Sequence, residues 1–201
     1  MAITVVTGPP GAGKTTVAAA LARCYPRSVH LRADQCFEWV ASGFVAPWSP
    51  GSSEQNATVV EAIGAATRAY AAGGYEVLVD GIVGPWFLAR FQRAAACDDG
   101  DLAYVVIRPA RDVAMSRALG RAGADDLVDP EPVRAMFDAF EHLGAFESNV
   151  IDSSALDVAA TVEAILAAAA AGRTVVGHGH RADMARLARH FGVPPLEAES
   201  S

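Results

Sequence analysis

Short apolar runs alternate with amphipathic stretches along this chain, and turn residues separate them. Ile3 to Val6 is a β-branched run stopped by Gly8, and Thr15 to Arg23 follows with helical character. Val29 to Leu31 reads as a second short strand. Ser53 to Ala72 is a long helical segment closed by Gly73-Gly74, a good C-terminal stop. Tyr75 to Val79 has the look of a buried strand and ends at Asp80. Pro85 to Ala96 is helical with Pro in the first turn, Leu102 to Ile107 is a strand, and Arg111 to Gly120 is a helix. Gly123 to Pro132 is rich in Gly, Asp and Pro and reads as a loop. Val133 to Leu143 is helical, Asn149 to Asp152 a last short strand, and Asp157 to Ala171 a helix stopped by Gly172. Strands and helices alternate throughout, which predicts a mostly parallel sheet with helices on both faces, an α/β fold of three layers. Residues 173–201 differ: they are rich in Arg and His, then run through Pro-Pro to an acidic end. They are expected to form an added helix and a frayed terminus.

The 201 residues suffice for one sizeable core, with 52% hydrophobic and 19% charged side chains. No apolar run approaches the roughly 18 residues that a membrane span needs. The first residues, MAITVV, lack the basic lead of a signal peptide. Cys24, Cys36 and Cys97 are odd in number and widely spaced, which fits a reducing cytoplasm rather than a disulfide framework. A net charge of -7 disfavours a broad nucleic-acid surface. The basic residues are 15 Arg and a single Lys, Lys14.

That lysine lies in Gly8-Pro9-Pro10-Gly11-Ala12-Gly13-Lys14-Thr15, which fits G-x-x-x-x-G-K-[ST] between a strand and a helix. Glycines let backbone N–H groups curl around phosphate oxygens, and the helix N-terminus adds partial positive charge. Lys14 is placed for the β- and γ-phosphates of ATP, and the Thr15 hydroxyl for Mg²⁺; Thr16 completes the loop. The second group on the metal side should be an acid ending a buried strand, and Val77-Leu78-Val79-Asp80 supplies it. A guanine-reading N-K-x-D segment needs a second lysine, which the chain lacks.

Phosphoryl transfer further needs a base and cations over the moving phosphate. Asp34 follows the second strand in Leu31-Arg32-Ala33-Asp34, where a carboxylate can take a hydroxyl proton; it can equally cap the helix that begins near Gln35. Arg117 and Arg121 stand four apart on one helix face, placed either for phosphate or for pairing with Asp112 or Asp125. Phe37, Trp39, Phe44 and Trp48 follow Asp34, and Trp86 follows Asp80. These aromatic residues are suited either to an apolar acceptor wall or to ordinary core. Gln35 to Ala57 contains no arginine, which favours a neutral acceptor over a phosphorylated one. His178 and His180 have no nearby cysteine or carboxylate and do not make a metal site. Arg181, Arg186, Arg189 and His190 form a basic stripe that either offsets the acidic body or meets a second subunit of a homo-oligomer.

On GPPGAGKTT, LRADQCFE, VLVDGIVG, RPARDVAMSRALGRAG and VIDSSALD, the chain resembles the P-loop small-molecule kinase superfamily, in particular the chloramphenicol phosphotransferase-like and AAA_33-type kinases. The resemblance spans roughly residues 2 to 171. It implies a five-stranded parallel sheet of order 2-3-1-4-5, Asp34 as catalytic base, and Arg117 and Arg121 spaced like lid arginines. It also implies that Asp152-Ser153 lies along the adenine. The expected domain is 1–172 with a lid at about 118–132, and 173–201 is an extension without a counterpart. The lid departs from the pattern: it carries Asp125, Asp126 and Asp129 and little positive charge. The function these residues imply is transfer of the γ-phosphate of ATP to a hydroxyl of a small organic molecule, such as an antibiotic or metabolite. Kinases of nucleosides, nucleotides, sugar-nucleotides or polynucleotide 5′-hydroxyls are the alternatives, as is a regulatory ATPase.

Overall fold

A computed structural model describes residues 3–95, 102–120 and 129–194. Its elements in chain order are β1 (Ile3–Thr7), α1 (Lys14–Ala22), β2 (Ser28–Arg32), α2 (Ala33–Glu38), α3 (Ser53–Ala72), β3 (Glu76–Asp80), α4 (Pro85–Ala94), β4 (Leu102–Ile107), α5 (Arg111–Leu119), α6 (Pro130–Ala139), β5 (Val150–Ile151), α7 (Val158–Ala170), β6 (Val175–Val176) and α8 (Arg181–His190). Short 3₁₀ turns cover Gly144–Asn149 and His178–His180.

The sheet runs β2-β3-β1-β4-β5, all parallel, as expected. A sixth strand was not foreseen: β6 pairs antiparallel with β4, Leu102 opposite Val176. β4 therefore shares one edge between two partners, β6 at its beginning and β5 at its end, where Val106 and Ile107 face Val150 and Ile151.

Successive strand residues face opposite layers. Val5, Val77, Val79, Tyr104 and Val106 pack into the larger core, with α3, α4 and α8. Val6, Leu78, Val105 and Ile107 pack into the smaller core, against α1 and α7. Strands buried on both faces read as unbroken apolar runs, which is why β1, β3 and β4 are so visible in the sequence.

Local chemistry sets the element ends. α7 starts at an Asp157 cap, whose carboxylate accepts the Ala160 N–H at 2.8 Å. It ends in a left-handed Gly172 (φ +70°) with the Gly172 N–H on the Ala169 carbonyl and the Arg173 N–H on that of Ala168. α6 begins three residues before the expected Val133. Asp129 accepts the Glu131 N–H at 3.1 Å, and Pro130 takes the first helical position, so cap and proline extend the helix toward the loop. α6 also stops at Ala139, and Gly144 (φ +60°) opens the 3₁₀ turn that follows. Beyond Gly172, Val176, Met184 and Leu187 are buried in the larger core, and α8 lies along α4.

Candidate active site

The loop between β1 and α1 is shaped by two close approaches. Gly8 has φ +145°, and a Cβ there would stand 2.0 Å from the Ile107 carbonyl oxygen of β4. Gly11 has φ +77°, and its Cβ would stand 2.0 Å from the Ala114 carbonyl oxygen of α5. Only glycine fits either place. Gly13, the residue before α1, also has positive φ (+85°), but its missing Cβ would meet nothing within 4 Å. Pro9, Pro10 and Ala12 are buried, and Thr16 is exposed on α1.

Lys14 is 8% exposed, and its ammonium donates to the Pro9 carbonyl at 3.0 Å. Asp80 is 2% exposed at the end of β3. Its Oδ2 accepts the Thr15 hydroxyl at 2.5 Å, so the two residues expected on the metal side lie in direct contact. Its Oδ1 receives a second bond at 2.5 Å from His30 Nε2, on β2. His30 was missed by the sequence reading. The signal was there in principle: in a parallel sheet, His30 shares a face with Leu78 and Asp80.

Arg32 of β2 pairs with Asp80 of β3 in register, so α2 starts beside Asp80. The two segments touch closely, since a Cβ on Gly81 would lie 2.4 Å from the Ala33 Cβ. Asp34 sits exposed in the first turn of α2. It is not the cap: that position belongs to Arg32, which makes no side-chain capping bond. Burial, and then the Asp34 charge, push the Cys36 thiol above its ordinary pKa.

The segment after Asp80 is strapped down. The Val83 N–H donates to Thr7 Oγ1 at 3.1 Å, and the Tyr104 hydroxyl donates to the Val83 carbonyl at 3.0 Å. Burial pushes the Tyr104 phenol well above its ordinary pKa.

The aromatic residues divide. Trp39 (71% exposed), Phe44 (50%) and Trp48 (45%) lie at the surface, and Phe37 is half-buried against the larger core. Trp86 turns into the core, its ring 4.0 Å from that of Phe191 and 5.5 Å from that of Phe140. The segment carrying Phe44 and Trp48 is pinned. Gln55 Nε2 donates to the Val45 carbonyl (2.6 Å) while its Oε1 accepts the Val45 N–H (2.8 Å). Asn56 Nδ2 donates to the Pro47 carbonyl at 2.7 Å.

On the far side of the loop, Asp152 Oδ1 accepts the Ser154 N–H (2.9 Å) and hydroxyl (2.5 Å), which hold its carboxyl below the usual range. Ser153 is 3% exposed, and its hydroxyl has no partner among the described residues. Next to Asp152 lies a cavity of about 280 Å³ between Arg108, Arg111, Phe137, Glu141 and Val150. The sequence pattern singles out neither arginine; Arg108 binds the segment that follows α6, and Arg111 clasps α6 itself. Arg108 donates to the Phe140 carbonyl (2.8 Å) and to Glu147 (2.7 Å); Arg111 pairs with Asp138 and Glu141 and covers the Phe137 ring at 4.7 Å.

Arg117 is exposed on α5, with no ion pair among the described residues; Arg121 and most of the expected lid, 121–128, lie outside them. Arg186 pairs with Asp183 at 3.3 Å, while Arg181, Arg189 and His190 of the basic stripe are exposed. Among the described residues no three metal-ligating side chains cluster, and no helix is long and apolar enough to cross a membrane. A two-group site of hydroxyl and carboxylate suits Mg²⁺, which keeps waters and takes its other ligands from phosphates.

A family model, AAA_33, described as an AAA domain, matches residues 3–143. No curated protein matches the sequence. Among solved structures, a sugar kinase from Janibacter sp. HTCC2649 superposes with a TM-score of 0.64 at 17% identity, over 87% of this chain and 98% of that one. A gluconokinase from Sinorhizobium meliloti 1021 gives 0.59 at 18%, over 94% and 95%. The tunicamycin resistance protein of Deinococcus radiodurans gives 0.57 at 19%, over 88% and 99%.

Proposed function

The chain belongs to the AAA_33 family, and on that premise we propose that it is an ATP-dependent phosphotransferase acting on a hydroxyl of a small, neutral organic molecule. The observation that carries the reading is the register of β2 on β3. It pairs Arg32, the last residue of β2, with Asp80, the last residue of β3, so that Asp34 stands two residues beyond the register partner of the acid that meets Thr15. The phosphate-side acid and the base candidate thus lie at the C-terminal ends of two neighbouring strands.

In this reading the loop from Gly8 to Thr16 binds the ATP phosphates. Lys14 leaves the Pro9 carbonyl for the β- and γ-phosphates, and Asp152-Ser153 borders the adenine. Thr15 and Asp80 would hold Mg²⁺, which would supply charge neutralisation for the phosphate oxygens. The acceptor hydroxyl gives its proton to Asp34 and its oxygen attacks the γ-phosphorus in line. The bond from the γ-phosphorus to the bridging oxygen breaks, and ADP leaves with that electron pair. Arg117 and Arg121 stabilise charge on the moving phosphoryl group. Use of ATP as donor supports a cytoplasmic reaction.

Exposed Trp39 at the end of α2, with Phe44 and Trp48 on the pinned segment that follows, offers an apolar wall for the acceptor; Phe37 packs against the larger core. Trp86, packed on Phe191, is instead part of the larger core. Absence of arginine from Gln35 to Ala57 supports a neutral acceptor. The names of two structural relatives, a sugar kinase and a gluconokinase, support a small hydroxylated acceptor. The test is ADP release on adding members of a panel of sugars, polyols and hydroxylated antibiotics. Release stimulated by one neutral hydroxyl compound supports the reading; stimulation only by nucleotides or polynucleotide ends overturns it.

A further inference from the structure

Asp80 is nearly fully buried, and both of its oxygens are engaged, one by Thr15 and one by His30. A carboxylate only accepts, so Nε2 of His30 carries the hydrogen in this bond. Thr15 has one hydroxyl hydrogen, and it points at Asp80. The lone pairs of that hydroxyl are therefore free to face the phosphate loop. Rotation of the Asp80 carboxylate would lose this orientation, and the His30 bond opposes that rotation.

His30 comes from a different strand, two residues before the Arg32 that pairs with Asp80, and its side chain is 19% exposed. Arg32, the register partner, is itself exposed. An imidazole N–H holds the carboxylate without the obligate positive charge that an arginine would bring.

We propose that His30 is a positioning residue for the divalent-cation site: it fixes the Asp80 carboxylate so that the Thr15 hydroxyl presents its lone pairs to the metal. The proposal rests on the assignment of Mg²⁺ to Thr15 and Asp80 above. It separates this role from a simple brace between β2 and β3, which would affect stability alone.

The test is ADP binding by calorimetry, with Mg²⁺ and with EDTA, for the wild-type protein, His30→Ala and His30→Gln, with melting followed in parallel. In the wild type Mg²⁺ tightens ADP binding. In His30→Ala that gain falls by about 10-fold, as when other groups that orient metal ligands are removed. Affinity in EDTA is unchanged. His30→Gln, whose amide N–H reaches as far as Nε2, restores the gain. If His30→Ala does not fold, His30→Asn replaces it, polar but too short to reach Asp80. A gain from Mg²⁺ equal to wild type in the short variants, whatever their melting temperature, overturns the proposal. No gain in the wild type itself overturns the metal assignment and this inference with it.

Discussion

Two glycines of the phosphate loop share a positive φ and differ in everything around them. Replacing each with alanine therefore separates backbone strain from steric exclusion. A left-handed conformation costs a non-glycine residue about 1–2 kcal/mol. For Gly13→Ala that is the whole cost, because the new methyl enters open space. For Gly11→Ala the methyl would sit 2.0 Å from the Ala114 carbonyl oxygen and 2.9 Å from the Ala118 N–H nitrogen, both backbone atoms of α5. Neither can swing away like a side chain, so the loop and α5 must separate, and forced overpacking adds about 1–3 kcal/mol. The expected losses are about 1–2 kcal/mol for Gly13→Ala and about 2–5 kcal/mol for Gly11→Ala. Urea unfolding followed by circular dichroism reads both, provided the slope is unchanged between variants. Equal losses would refute the close packing of the loop on α5.

Lys14→Ala should fold normally and lose nucleotide turnover, since the loop is held by the glycine geometry at Gly8 and Gly11; retained turnover in a steady-state assay would contradict the role given to it. Trp86→Ala should cost about 3–5 kcal/mol, as a buried aromatic does. Trp48→Ala, 45% exposed, should leave stability within about 0.5 kcal/mol and raise the KM for the acceptor. The two are compared by denaturation and by acceptor titration. Glu147 is held below its ordinary pKa chiefly by its hydrogen bond to Arg108. Its contribution to stability is therefore present above the unfolded value of about 4.3 and lost as pH falls through the lower folded value. Glu147→Gln should flatten the acid limb of the stability curve; an unchanged limb would show that the pair contributes nothing.

Much of this architecture is legible because strands buried on both faces leave apolar runs, and because Gly8, Gly11 and Gly13 sit where backbone needs them. The link from Thr15 to Asp80 was readable for the same reason: a loop motif and a strand-end acid have one way to meet in a parallel sheet. His30 was not readable, since its role depends on register between β2 and β3 rather than on any local pattern. Arg108 and Arg111 were hidden likewise: their carboxylate partners lie 27 to 39 residues further along the chain. The burial of Val176, Met184 and Leu187 was masked by charged neighbours, because a short strand and one amphipathic helix give few apolar positions. Trp86 and Trp48 looked alike in sequence, and only packing on Phe191 tells them apart.

The central claim is that the γ-phosphate moves to an organic hydroxyl with Asp34 as base. Phosphorus NMR of the products, with ATP, Mg²⁺ and the acceptor found by screening, tests it most directly. The account predicts a phosphomonoester formed in step with ADP by the wild-type protein. In Asp34→Asn it predicts a rate lowered by roughly 10²–10⁴-fold at near-normal ATP affinity, the span expected for loss of a general base. Inorganic phosphate as the sole product, or a phosphomonoester formed equally fast by Asp34→Asn, would contradict it.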